Sequence, residues 1–185
     1  MSFEILETSL AGLKIVVRQP RGDARGFLAR IFDAAGLRAC GWHAAIEQVN
    51  HTYTARAGTV RGMHYQLPPH AEQKLVSCIR GEVWDVAVDL RAGSPTFLQW
   101  HADRLSARNG RALLIPQGFA HGFQALTDDA ELVYCHSAPY VPQAEAGVHF
   151  GDARLGIAWP LPPVLVSERD LAHPPLGADF TGVAL

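Results

Sequence analysis

Short apolar runs alternate with polar positions at a spacing of two along most of the chain, and glycine, proline and aspartate interrupt them at roughly 8–12-residue intervals. Residues 13–18, 27–32, 45–50 and 59–66 read as strands, with a turn-rich, charged loop over 20–26. Residues 74–79 and 82–90 flank Arg80-Gly81 as a β-hairpin whose second arm, Val83-Trp84-Asp85-Val86-Ala87-Val88-Asp89, is strongly β-prone. Residues 96–101, 111–115, 122–126 and 131–137 continue the pattern. A short helix is expected over 33–40, with Asp33 as its N-cap, and a helical start over 167–170. Beyond Pro139 the chain is irregular and proline-rich.

So many short strands with so few helices predict an all-β sandwich or barrel. Two strands favour a jelly-roll barrel over an immunoglobulin-like sandwich. One runs from Gly58 to Gln66 and carries Arg61 and His64; the other runs from Gly110 to His121. Both are bounded by glycine and bring a histidine inward, so they are expected to form two sides of one pocket. Residues 1–185 are read as a single domain. Its barrel core covers about 45–140, with N-terminal strands and an irregular or helical C-terminal segment packed on it.

Composition narrows the function classes. Hydrophobic residues make up 48% of 185 residues, enough for a real core. The formal net charge of -2 gives no basic field, which argues against nucleic acid and leaves room for an anionic small molecule where arginines gather. No stretch reads as a membrane span or a signal peptide. Cys40, Cys78 and Cys135 are scattered, which fits neither a disulfide framework nor a zinc knuckle and points to the reducing cytoplasm.

Residues 110–121 fit Gly-x5-Pro-x-Gly-x2-His, which resembles the second motif of the cupin superfamily, small β-barrels that often hold a metal. The first cupin motif is only half present. Gly58 and His64 fit, but Gln66 stands at the second histidine position, and His70 or Ala71 at the glutamate position. A catalytic divalent metal needs about three imidazole or carboxylate ligands, so no metal is expected here, although His51 or His70 could supply a third ligand. One isolated inward histidine is usually a satisfied core residue; two at matching positions point to a lined pocket.

In such a pocket His64 is a candidate general base, since imidazole titrates near neutrality. It needs a carboxylate to fix its tautomer, and Asp85, Asp89 and Asp170 are the candidates. Lys74 opens a strand, where most lysines are surface charges. Tyr134 is either core or a buried proton donor. Arg25 and Arg61 could each hold phosphate through paired bonds. Arg61 and His64 are three apart, so a regular strand would send them to opposite faces unless Gly62 marks a bulge.

Taken together, Gly22-Asp23-Ala24-Arg25-Gly26-Phe27, Gln48-Val49-Asn50-His51, residues 60–66, Gln73-Lys74-Leu75-Val76, residues 81–91, residues 115–123 and Gly156-Ile157-Ala158-Trp159-Pro160 give the chain a resemblance to the dTDP-4-dehydrorhamnose 3,5-epimerases. The resemblance implies a cofactor-independent cupin-type jelly roll with a few short peripheral helices. It also implies a homodimer that exchanges N-terminal strands and acts on a nucleotide-linked 4-keto-6-deoxyhexose. By position, His64 would be the base paired with Asp170, Tyr134 the acid on the opposite face, and Lys74 the cation beside the enolate oxygen. Arg25 and Arg61 would bind the diphosphate, with Gln48, Asn50 and His121 lining the site. Phe27, from the partner subunit, and Tyr140 would lie near base and ribose. Arg30 stands where the family commonly has an acidic residue near the nucleobase. The alternatives are a single-centre epimerase on another nucleotide sugar, a metal-dependent cupin enzyme, and a sugar-nucleotide binder without turnover. A binder has no need of Tyr134 opposite His64.

Overall fold

The structure, a computed structural model, describes residues 2–185. Two antiparallel sheets face each other as a jelly roll. The first has the order β1 (Phe3–Glu7), β2 (Lys14–Arg18), β10 (Arg111–Ile115), β7 (Lys74–Arg80), β12 (Ala130–His136), β5 (Gln48–Thr54). The second has the order β13 (Glu145–Gly147), β6 (Val60–Gln66), β11 (Phe119–Ala125), β8 (Glu82–Asp89), β9 (Trp100–Ser106). A separate two-stranded arm, β3 (Arg21–Asp23) with β4 (Gly26–Leu28), lies outside both. The short helices α1 (Ala34–Arg38) and α2 (Glu168–Leu171) and a 3-10 turn at Pro142–Ala144 complete the elements.

The inner faces of both sheets supply the main core: Val76, Leu113, Ile115, Leu132 and Tyr134 from one, Val83, Ala87, Leu105, Phe119 and Phe123 from the other. Alternation sends the remaining residues outward. On the six-stranded sheet, Val16, Leu75, Ala112, Leu114 and Cys135 pack beneath Leu37 and Trp42. On the five-stranded sheet, Met63, Tyr65, Val86 and Val88 pack beneath Val148, Leu155 and Val183. With both faces covered, β8 is buried almost throughout, including the two aspartates Asp85 and Asp89. Truncating a fully enclosed leucine such as Leu113 to alanine costs about 2–5 kcal/mol in general.

Several sequence expectations change. Residues 74–90 do not form a hairpin: β7 pairs with β10 and β12, whereas β8 pairs with β11 and β9. Gly81, at φ +70°, turns the chain from one sheet into the other, and a Cβ there would meet Thr127 Oγ1 at 2.5 Å. The loop expected over 20–26 contains β3, and the strand expected over 27–32 stops at Leu28 as the return arm β4. The strand expected over 96–101 begins only at Trp100, because the preceding residues turn around the Asp89 carboxylate, which accepts from Arg91, Ser94 and Thr96. The short β1 and β13 had too little pattern to be read. Asp33 caps α1 through the Gly36 amide as expected, and Ser167 caps α2 through that of Asp170.

The two histidine strands are neighbours rather than opposite sides. β6 pairs with β11 so that His64 lies beside His121 and Arg61 beside Phe123. Three steps on β6 thus match two on β11, the register shift of a bulge at Gly62. This extra residue returns Arg61 and His64 to the same side. Close approach requires glycine on both strands: a Cβ on Gly62 would come within 2.6 Å of Gly122 Cα, and one on Gly122 within 2.7 Å of the Arg61 carbonyl oxygen.

Candidate active site

A cavity of about 790 Å³ opens between the sheets. Its lining includes Arg61, His64 and His121 from the five-stranded side, and Gln48, Asn50, Lys74 and Tyr134 from the six-stranded side. Tyr140 and the segment from Leu165 into α2, which carries Asp170, complete the lining.

His64 Nε2 lies 2.9 Å from Asp170 Oδ1. The second oxygen, Asp170 Oδ2, accepts the Gly62 amide at 2.9 Å, so the bulge that orients His64 also holds its carboxylate. Burial alone would raise the pKa of Asp170. The hydrogen bonds from His64 and Gly62, the charge of His64 and the Ser167 bond outweigh it and hold the group well below the usual carboxylate range. An ionised carboxylate only accepts, so Nε2 carries the His64 proton and Nδ1 keeps a free lone pair. Nδ1 has no hydrogen-bond partner and is not among the sealed polar atoms, so it is open to the cavity. Arg169 Nη2 also lies 3.2 Å from His64 Nε2, but two donors cannot share a hydrogen bond, and we read this as guanidinium packing secured by Glu145 at 3.1 Å.

His121 Nε2 meets both oxygens of Asp85 at 3.0 Å. Asp85 is fully enclosed; burial pushes its pKa up, and the charge of and bond from His121 oppose that. Of the three candidate partners for His64, then, Asp85 serves His121, Asp89 serves Arg91, and only Asp170 reaches His64.

Lys74 is buried rather than a surface charge. Its Nζ lies 3.0 Å from Glu72 Oε1 and 3.3 Å from the His64 carbonyl oxygen. Tyr134 sits edge-on to His121 at 5.8 Å between ring centroids. Its burial, and after that the Asp85 charge, raise the phenol pKa well above the ordinary value. Arg61 lines the cavity, anchored by Thr54 Oγ1 at 3.1 Å and the Tyr53 carbonyl at 3.0 Å. Gln48 donates to Asn50 at 2.9 Å, and the Tyr140 hydroxyl donates to Glu145 at 2.7 Å.

Arg25 and Phe27 are not brought to this cavity. Both lie on the exposed arm, where Arg25 pairs with Asp23 at 2.5 Å and Phe27 is 74% exposed. Arg30 is also on the surface, bonded to Ser2 at 2.7 Å. The two spare histidines are no better placed to complete a His64–His121 metal site: His51 pairs with Glu131 outside the cavity, and His70 does not line it. Gln66 is engaged structurally, donating to Glu72 and accepting the Val141 amide. His64, Asp170 and His173 do bring ligand-type atoms within 4.8 Å of one another, beside the Arg169 guanidinium.

Glu72, His136, Glu145 and Arg169 also line the cavity and were not singled out from the sequence. His136 had a usable signal, because it stands two residues from Tyr134 on one strand and therefore shares its face. The other three carried no local signal.

The arrangement holds an oriented imidazole with a free lone pair, a phenol that keeps its proton on the facing sheet, and a buried ammonium. It suits proton removal next to a carbonyl and proton return from the other side. The model of the family described as dTDP-4-dehydrorhamnose 3,5-epimerase matches residues 7–178. The chain is 40% identical over 169 residues to a dTDP-4-dehydrorhamnose 3,5-epimerase of Sinorhizobium fredii, covering 91% of this chain and 87% of the relative. It superposes on the Bacillus anthracis dTDP-4-dehydrorhamnose 3,5-epimerase, solved with TDP and PPi bound, with TM-score 0.91 and 38% identity over 94% of this chain and 99% of that one. An epimerase from Legionella pneumophila in complex with dTDP-4-keto-L-rhamnose gives TM-score 0.88 and 40% identity over 92% and 91%. A 3'-monoepimerase from Streptomyces bikiniensis in complex with dTDP-quinovose gives 0.82 and 37% over 91% and 85%.

Proposed function

The chain belongs to the dTDP-4-dehydrorhamnose 3,5-epimerase family, and on that premise we propose that it is an isomerase converting dTDP-4-dehydro-6-deoxyglucose to dTDP-4-dehydrorhamnose. The observation that carries this reading is the His64–Asp170 pair facing Tyr134 across one cavity, with Lys74 between them in sequence and buried at its wall.

The 4-keto group acidifies the hydrogens on C3 and C5. His64 Nδ1 removes one, and the resulting imidazolium is stabilised by Asp170. Charge moves to the C4 oxygen, where the Lys74 ammonium, fixed by Glu72, stabilises the enolate. Tyr134, whose pKa is raised so that it holds a proton, returns one to the opposite face and inverts the centre. Arg61 binds the diphosphate, which supplies binding energy away from the reacting carbons. His121, Gln48, Asn50 and Tyr140 shape the pocket.

Arg25 and Phe27 act in a partner's cavity within a homodimer that exchanges its β3–β4 arms. The support is the arm itself, which presents Phe27 and Leu28 at 74% and 76% exposure and leaves Arg25 away from its own cavity. A cytoplasmic location fits the free thiols of Cys40, Cys78 and Cys135, and no helix among the described residues is long and apolar enough to cross a membrane.

Incubation of dTDP-4-dehydro-6-deoxyglucose with the protein in D2O, followed by NMR, tests the reaction. Deuterium at both C3 and C5 is the expected result. Label at one carbon only assigns a single-centre enzyme, a reading favoured by the likeness to the monoepimerase. Absence of exchange at either carbon overturns the proposal.

A further inference from the structure

We infer that His136 is a further sugar-contacting residue of this site, with its Nδ1–H held toward the cavity as a donor to an oxygen of the deoxyhexose. The identity of the ligand rests on the epimerase reading above; the state of the ring rests on a chain of hydrogen bonds whose direction can be followed from one end.

The chain starts at a group with no choice. The Tyr140 backbone N–H donates to Gln48 at 3.0 Å, so the atom it meets is the Gln48 oxygen. The other end of that amide, Gln48 Nε2, must then donate, and it meets Asn50 Oδ1 at 2.9 Å. Asn50 in turn presents Nδ2 to His136 Nε2 at 3.4 Å. His136 Nε2 therefore accepts, and the proton of the neutral ring is on Nδ1. Burial first, and then the Lys74 ammonium, lower the His136 pKa to about 4 against the opposing pull of Glu72, so the neutral ring is the working form near pH 7. Nδ1 has no protein partner, yet it is not among the sealed polar atoms, so it has access to the cavity that His136 lines.

Its position favours the sugar over the nucleotide. His136 is the register partner of Lys74 on β7 and stacks on Tyr134 at 6.1 Å and 21°. It thus stands beside the two groups that act on the reacting carbons. A neutral donor there can hold a hydroxyl or keto oxygen without adding charge to the one Lys74 supplies.

The test compares His136→Phe, which keeps a flat ring and removes both nitrogens, with His136→Asn, whose amide nitrogen sits one bond from Cγ as Nδ1 does. Each is assayed for turnover of dTDP-4-dehydro-6-deoxyglucose and for dTDP binding by calorimetry. His136→Phe should lose about ten-fold in kcat/KM, the loss expected for one hydrogen bond, with dTDP affinity unchanged. His136→Asn should recover most of it. In the wild-type protein, 15N NMR should find the proton on Nδ1, and dTDP-glucose, but not dTDP, should move that resonance. Full kcat/KM in His136→Phe, an equal loss of dTDP affinity, or a proton on Nε2 would each overturn the inference while wild-type turnover leaves the epimerase reading standing. A wild-type protein that neither turns over the keto sugar nor binds dTDP-glucose overturns both.

Discussion

Two histidines on adjacent strands of one sheet each meet a carboxylate, and the two pairs differ in what surrounds them. His64 and Asp170 have side chains 25% and 3% exposed; His121 and Asp85 have 6% and 0%. Each ring has Nε2 tied to its carboxylate, but His64 is the more exposed of the two, and His121 lies edge-on to Tyr134. Their carboxylates are held in opposite ways. Asp170 takes a backbone amide as well as the imidazole, and its pKa falls; Asp85 has only the imidazole in a dry interior, and its pKa rises. The same two residue types thus hold one carboxylate in its charged form and one whose charge burial disfavours, which fits the proposed base at His64 and a supporting place for His121 beside Tyr134.

Substitutions that break one pair at a time should separate these roles. The largest effect is expected for His64→Ala, which removes the proposed base: C–H exchange in D2O should fall by at least about 10³-fold with the fold intact by circular dichroism. Tyr134→Phe should reduce inversion by about 10²-fold while exchange continues, since the base is untouched; equal loss of both would place Tyr134 outside the acid role. Asp170→Asn should cost about 10² in kcat, because an amide can turn its nitrogen toward His64 and disturb the tautomer. Asp85→Asn should chiefly affect stability, by about 2–3 kcal/mol, read as a Tm lower by roughly 5–10 °C; a kcat loss matching that of Asp170→Asn would erase the distinction between the pairs.

The smallest effect is in the pH dependence of unfolding. Asp170 has a folded pKa below its unfolded one, so its stabilisation is complete above the unfolded value of about 4 and is lost as pH falls toward the folded one. Asp85 has the reverse sign: its raised folded pKa favours the folded state when protonated, and that contribution is lost as pH rises from about 4 through the folded value. The stability gap between wild type and Asp170→Asn should therefore narrow in denaturant titrations taken from pH 6 to pH 3.

Much of this was legible in the chain. Alternation placed most of the strands, and the glycine-bounded histidine strands identified the jelly roll and His64. Asp33 and Ser167 marked their helix starts because capping is a local bond. Family resemblance, rather than any physical contact visible in sequence, singled out Asp170 among the three candidate carboxylates. Alternation did not reveal that residues 74–90 change sheets at Gly81, because a strand's period is the same whichever sheet it joins.

By itself the sequence determined most of the strand content and the presence of His64, Tyr134 and Lys74 as candidates, since each follows from side-chain type, local period or family resemblance. Tertiary structure decided the pairings: which carboxylate meets which histidine, whether Arg61 shares a face with His64, and that Lys74 is buried against Glu72 rather than solvated. Those outcomes depend on register across strands far apart in the chain and on the extra residue at Gly62. They exist only once the two sheets have closed around the cavity.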